Sequence, residues 1–292
     1  MTAPTGIGLG LRGRFIEDVV RGDADDRVAF LELSPENYIH RGGQLPAQLE
    51  RIAERFPIIT HGLTMSLGST DPLRDDYLRE LRPFLHRYRT PWHTDHLCFS
   101  GLEGALLHDL LPLPATKQTA HRVAARVREA QDRLGVRFGV ENISYYLPMG
   151  EPEMPEAVWV REILEQADCA LLLDVNNVFV NSKNFGFDPY AWLKEIPLER
   201  VVQLHVAGHE HWEDYEMWVD THGATVLDPV HEMMSWVIER TGPLPVLLER
   251  DTNIPPLSEL LDEVERLDAT YQAALKRRAD KAKSASDVQR VG

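Results

Sequence analysis

Seven apolar runs in this chain end in residues that can bind a cation or move a proton. They read Phe30-Leu31-Glu32-Leu33-Ser34-Pro35-Glu36-Asn37, Ile58-Ile59-Thr60-His61-Gly62, Trp92-His93-Thr94-Asp95-His96, Gly139-Val140-Glu141-Asn142, Leu172-Leu173-Asp174-Val175-Asn176-Asn177, Gln203-Leu204-His205-Val206 and Leu247-Leu248-Glu249-Arg250-Asp251. One such residue has an ordinary explanation, because a strand-end Asp often caps the following helix and a lone His is usually a hydrogen-bonded core residue. Repetition along the chain calls for a common cause. If the run ends converge, their buried charges persist only when paired or bound to a cation, and a metal supplies that charge.

Side-chain alternation along a strand narrows the set. His93 and Asp95 share a face, whereas His96 points away unless the chain has already turned, so His93 and Asp95 are expected as the working pair. By the same rule Asp174 and Asn176 share a face, and Asn177 joins only from a loop. Asp220 and His222 again stand two residues apart, in a long segment where His209 follows Gly208. Imidazole and carboxylate donors without thiolate suit iron, manganese or zinc and disfavour copper(I) or iron–sulfur chemistry. The donors outnumber the ligands of one octahedral ion, so two or three ions bridged by Glu141 or Glu249 are expected.

These run ends need elements that bring them together. Eight strands are expected: Ile7 to Arg12, Val28 to Ser34, Pro57 to Gly62, Pro91 to His96, Arg137 to Asn142, Ala170 to Val175, Val201 to Val206 and Val246 to Asp251. Helical patterns follow the second to eighth of them, at Leu45 to Arg55, Asp75 to Tyr88, Ala115 to Leu134, Val158 to Gln166, Pro189 to Ile196, Pro229 to Arg240 and Leu257 to Leu275. Alternating strands and helices imply a parallel sheet with right-handed crossovers, and eight units can close into a (β/α)8 TIM barrel; an open doubly wound sheet is the alternative. In a barrel the run ends meet at one mouth, the C-terminal end of the strands. The barrel is expected over residues 1–275 as one domain, with the long segment Ala207 to Ala224 covering a pocket. Residues 276–292, small, polar and locally basic, read as helix fraying into a disordered tail. Gly6-Ile7-Gly8-Leu9-Gly10-Leu11-Arg12 lacks the helix and downstream acid of a dinucleotide fingerprint and reads as close packing around the first strand. His40, His86, His108, His121 and His231 read as solvent contacts, while His211 is left open.

Composition excludes several classes. The 292 residues are 43% hydrophobic and 26% charged, ordinary for a globular protein, and no apolar run approaches the ~20 residues that span a bilayer. No secretory signal opens the chain, so a cytoplasmic location is expected. Two cysteines, Cys98 and Cys169, make neither a disulfide framework nor a four-thiolate metal site. With 46 acidic against 31 basic residues and a formal charge of -15, the protein repels a phosphate backbone, and nucleic acid is not an expected partner.

The segments GIGLGLR, FLELSPENY, HGLTMSLGS, HTDHLCFSG, VENISYY, LLLDVNNVFVNS, LHVAGH, DTHG and LLERD, in this order, resemble the multinuclear non-heme iron-dependent oxidases, a family that includes the iron oxidase of methanobactin biosynthesis. The resemblance runs from about Gly6 to Asp251 and implies a xylose-isomerase-like barrel, two or three irons of mixed Fe2+/Fe3+ state, molecular oxygen as co-substrate, and a cysteine-containing precursor peptide as substrate. Position by position it implies His61, His93, Asp95, Glu141, Asp174, His205, Asp220, His222 and Glu249 as ligands, with Asn176 and His209 as additions. It further implies a partner protein that recognises the leader of the precursor. Arg250 reads either as a group that orients a substrate carboxylate or peptide carbonyl, or as half of a structural ion pair.

Two other functions compete with peptide oxidation. One is a divalent-metal-dependent isomerase or hydrolase of the same barrel acting on a sugar or phosphoester, which fold alone does not reject. The other is a non-catalytic metal-binding protein with no open coordination position.

Overall fold

Each of the eight runs read as strands forms a strand of a closed parallel barrel. The computed structural model describes residues 3–24, 26–147 and 150–291, with side chains through residue 284 apart from His108; the solvent contact expected of His108 lies outside the described residues. Strand β1 (Gly6–Gly10) precedes helix α1 (Ile16–Arg21), β2 (Leu31–Leu33) precedes α2 (Leu45–Ala53), and β3 (Ile58–His61) precedes α3 (Asp75–Tyr88). After β4 (His93–His96) comes an antiparallel hairpin, β5 (Phe99–Leu102) and β6 (Ala105–Leu111), and then α4 (Lys117–Leu134). β7 (Phe138–Glu141) leads to α5 (Glu156–Ala167), and β8 (Ala170–Asp174) runs directly into α6 (Val175–Phe185) and α7 (Pro189–Glu195). β9 (Val201–Ala207) is followed by a ribbon of β10 (Glu210–Trp212) and β11 (Met217–Val219), then α8 (Asp228–Thr241), β12 (Pro245–Glu249) and α9 (Leu257–Val291). The barrel closes in the order β1-β12-β9-β8-β7-β4-β3-β2.

Alternation along the strands divides the barrel into an apolar floor and a polar mouth. Phe30, Ile59, Trp92, Ala170, Val202 and Leu247 pack as a separate apolar cluster. Gly8 makes that packing possible, since a Cβ there would come within 2.3 Å of the Phe30 ring. Two residues further along the same strand faces stand Glu32, His61, Thr94 and Glu249, all on the mouth side of the floor. Gly10 leaves the space into which the Arg12 guanidinium folds, 2.8 Å from where a Cβ would be.

Local chemistry sets the element ends. Thr116 caps α4 in a reciprocal arrangement with Thr119, and Gly135 closes the helix at φ 68. The helix α6 escapes the sequence reading because Val, Asn and Phe carry low helix propensity; it is started by the Asp174 carboxylate, which accepts the Asn177 amide at 2.7 Å. The strand alternation assumed for Asp174 and Asn176 therefore fails after Asp174. At the C-terminus α9 runs from Leu257 to Val291. It contains no Gly or Pro, and Arg277 and Lys281 hold it against Glu239 of α8. Among the described residues no helix is long and apolar enough to cross a membrane.

Candidate metal centre

Six of the expected ligands converge at the mouth, joined by His96, which strand alternation had set aside, and by Asp251, which was not among the expected ligands. They form three groups whose donor atoms lie within 4.8 Å of one another: His61, His96 and Glu141; Glu141, Asp174, His205 and Glu249; and His222, Glu249 and Asp251. Glu141 belongs to the first two groups and Glu249 to the last two. Glu141 divides its oxygens, with Oε2 at 3.0 Å from His61 Nε2 and 3.1 Å from His96 Nε2, and Oε1 at 3.2 Å from His205 Nδ1. Glu249 Oε2 stands 3.1 Å from His205 Nδ1 and 3.6 Å from His222 Nδ1. Asp251 Oδ2 lies 3.0 Å from the same His222 nitrogen.

The electrostatics of these groups fit cations. Burial alone would raise the pKa of Glu141, but His61, His96 and His205 around it hold its carboxyl well below the ordinary range. Asp174 goes the other way, pushed well up by burial and by the negative charges of Glu141 and Asp220. Burial would lower His205, yet Glu32, Glu249 and Glu141 raise it well above the ordinary histidine value. Without a cation, the charge balance has to come from protons on imidazoles and on Asp174. The buried atom Asp174 Oδ2 has no hydrogen-bond partner, although buried polar atoms are normally paired, and Glu141 Oε2, His205 Nδ1 and His222 Nε2 meet only the imidazoles and carboxylates of one another's groups and Asp220. Divalent cations shared through Glu141 and Glu249 would satisfy both the charges and these atoms, with imidazole and carboxylate donors of the type iron, manganese and zinc accept.

Partners outside the groups aim the ligands. Thr94 Oγ1 lies 2.8 Å from His61 Nδ1, and Glu32 Oε1 lies 3.1 Å from His205 Nε2. The Arg12 Nε donates to Asp251 Oδ1 at 3.0 Å, on the side of the carboxylate away from His222. Above the groups opens a cavity of about 460 Å³, one wall of which is built by Leu63 and by Leu106, Leu107 and Leu110 of the β5–β6 hairpin. These four leucines are 37% to 45% exposed.

The remaining expected ligands lie elsewhere. His93 and Asp95 have the opposite strand parity and face the outer layer: His93 Nδ1 lies 3.0 Å from Thr60 Oγ1, and its ring packs edge-on against Phe138. Burial lowers the His93 pKa to about 4, so this ring is neutral. Asp95 accepts the backbone amides of Met65 at 3.1 Å and His96 at 2.8 Å, a loop-fixing role behind the site. His96 is the inward member of the same strand, and the register that sets it beside Glu141 cannot be read from one strand. Asp251 was within reach of the sequence, two residues beyond Glu249. Asn176, His209 and Asp220 make a hydrogen-bonded line beside the groups: His209 Nδ1 meets Asn176 Oδ1 at 2.7 Å, and the Asn176 amide donates to Asp220 Oδ1 at 2.6 Å. Asp220 Oδ1 is also 2.8 Å from His222 Nε2. Arg250 does not line the cavity and pairs with buried Glu263 at 2.7 Å.

The family model described as RiPP precursor modification enzyme MbnB/TglH/ChrH matches residues 6–272. A UPF0276 protein of Acinetobacter baylyi is 42% identical over 272 residues, 93% of each chain, and one of Pseudomonas aeruginosa is 44% identical over 263 residues, 90% of this chain and 91% of the relative. Among solved structures, an L-ribulose 3-epimerase superposes with TM-score 0.60 at 13% identity, covering 98% of both chains. The 3-keto-D-glucoside 4-epimerase of E. coli superposes with TM-score 0.58 at 12% identity, covering 90% of this chain and 98% of the other. These likenesses place the fold among the xylose-isomerase-like TIM barrels.

Proposed function

The chain belongs to the RiPP precursor modification enzyme family, and from that premise we propose that it is a multinuclear iron-dependent oxidase that uses oxygen to modify cysteine residues of a ribosomally made precursor peptide. The observation that carries the reading is the sharing of Glu141 and Glu249 between adjacent ligand groups, an arrangement that a single structural ion does not need. His61, His96, Glu141, Asp174, His205, His222, Glu249 and Asp251 hold the ions, and Asp220, Asn176 and His209 support His222 from the side. When bound, iron supplies oxidising equivalents from oxygen and the Lewis acidity that lowers a substrate thiol's pKa.

The chain's own part is positional. Glu141 and Glu249 fix the spacing of the groups, Thr94 and Glu32 orient two of the imidazoles, and the barrel floor closes the site to water from below. The precursor enters through the leucine-walled cavity, and a partner protein that recognises its leader presents it. Leu63, Leu106, Leu107 and Leu110 offer apolar surface on which the side chains of a peptide can pack, beside the polar residues of the ligand groups. A cytoplasmic site of action is part of the proposal.

The test uses the iron-loaded protein and the cysteine-containing peptide encoded beside its gene. On admission of oxygen the peptide is expected to change in mass through loss of hydrogen or rearrangement, while its serine version, sugars and phosphoesters stay unchanged. Turnover of a sugar by the manganese-loaded protein, with an unchanged peptide, would establish the isomerase reading instead.

A further inference from the structure

We infer that Glu32 is a positioning residue that holds the ring proton of His205 on Nε2 and so leaves Nδ1 free to act as a donor toward the central ligand group. The inference rests on reading the cavity as a metal centre. His205 is completely buried, and its two nitrogens meet opposite surroundings. Nδ1 faces Glu141 Oε1 at 3.2 Å and Glu249 Oε2 at 3.1 Å. Nε2 faces Glu32, with Oε1 at 3.1 Å and Oε2 at 3.2 Å, and the Gln203 amide nitrogen at 3.2 Å.

Gln203 is held in one orientation. The indole N–H of Trp92, which can only donate, bonds Gln203 Oε1 at 3.0 Å, so the amide NH2 of Gln203 faces Glu32 and His205. An NH2 group cannot accept a hydrogen bond. Among the described residues Glu32 is therefore the acceptor available to His205 Nε2. A histidine that binds a metal through Nδ1 carries its proton on Nε2 and needs an acceptor there. Without Glu32, the Gln203 NH2 donates into Nε2, the ring proton moves to Nδ1, and it points at the space between Glu141 and Glu249. His61 lacks this specification, because its outer nitrogen meets the Thr94 hydroxyl at 2.8 Å, a group that accepts or donates equally well.

The experiment is an anaerobic Mn(II) titration of the full chain, followed by electron paramagnetic resonance, for wild type, Glu32→Ala, Gln203→Leu and the double variant. Glu32→Ala is expected to weaken Mn(II) binding roughly 10–100-fold. Adding Gln203→Leu removes the donor that imposes the wrong tautomer, so the double variant is expected to bind more tightly than Glu32→Ala. A general packing role predicts the reverse order, since the double variant deletes a second buried partner; a double variant no better than Glu32→Ala overturns the inference. Unchanged affinity in Glu32→Ala overturns it as well, while a wild type that binds no Mn(II) defeats the metal-centre reading itself. If Glu32→Ala does not fold, Gln203→Leu alone carries the test, because Glu32 still sets the tautomer: affinity is expected to stay within about twofold of wild type, and a loss of about tenfold is the contrary result.

Discussion

His96 Nε2 and Glu141 Oε2 lie 3.1 Å apart on neighbouring parallel strands whose register places the two residues side by side. That contact joins β4 to the candidate metal centre through His96, and it leaves His93, three residues earlier, on the outer face against Phe138.

His96→Ala should therefore lower the iron content of the purified, reconstituted protein by about one ion per chain, as expected for loss of a ligand from one group. His93→Ala should leave the iron content unchanged and instead lower thermal stability, because it removes a fully buried ring. Elemental analysis beside a thermal melt separates the two; the opposite pattern would return His93 to the site.

Glu141 serves two ligand groups at once. Glu141→Gln, which keeps the shape and removes the charge, is expected to reduce bound metal at both, and Glu249→Gln to act similarly on the central and outer groups. His121→Gln and His231→Gln, on helices away from the cavity, serve as controls with full metal content. Equal losses in all four variants would mean that the site has been misplaced.

The pH dependence of metal binding follows from His61. Burial lowers its pKa, but Glu141 and Glu32 outweigh that effect and raise it to about 9. A cation at Nε2 requires the neutral ring, so below that pH each ion bound in this group displaces a proton, and affinity rises by about tenfold per pH unit until the ring is neutral without help. Calorimetric titrations in two buffers of different ionisation heat measure the released proton. Binding at pH 7 without proton release contradicts the assignment.

Arg250 is expected to contribute to stability through its pair with Glu263. Arg250→Met leaves Glu263 buried without its cation, and breaking one side of such a pair costs about 3–5 kcal/mol. Urea unfolding should show this loss, while iron content and the response to peptide stay at the wild-type level. A stable variant with weakened peptide binding would restore Arg250 to the cavity.

The fold was legible because seven of the eight barrel strands are apolar runs with a polar end, a signal that survives in one dimension. The site was legible in residue type and only partly in identity. His93 and His96 differ by three positions and hence in strand face, and the choice between them is made by the neighbouring strand that carries Glu141, which a single strand does not reveal. Asn176 does not share a strand face with Asp174 for a different reason: the chain turns helical at Val175 under the cap provided by Asp174, so strand alternation stops before Asn176. Arg250 follows Glu249 just past the end of β12, and its partner Glu263 lies on α9, a tertiary contact without a local signature. The hairpin carrying Leu106, Leu107 and Leu110 was missed because it is an insertion between β4 and α4, outside the strand–helix rhythm that exposed the rest.

The most direct measurement of the central claim is iron stoichiometry with Mössbauer spectroscopy on protein loaded anaerobically with ⁵⁷Fe(II) and then partly oxidised. Three groups linked through Glu141 and Glu249 predict two to three irons per chain, with the spectrum of magnetically coupled ions, perturbed before oxygen is admitted by a cysteine peptide but not by its serine version. One uncoupled iron per chain, or a single stoichiometric zinc that iron does not replace, together with no response to the thiol, would contradict it.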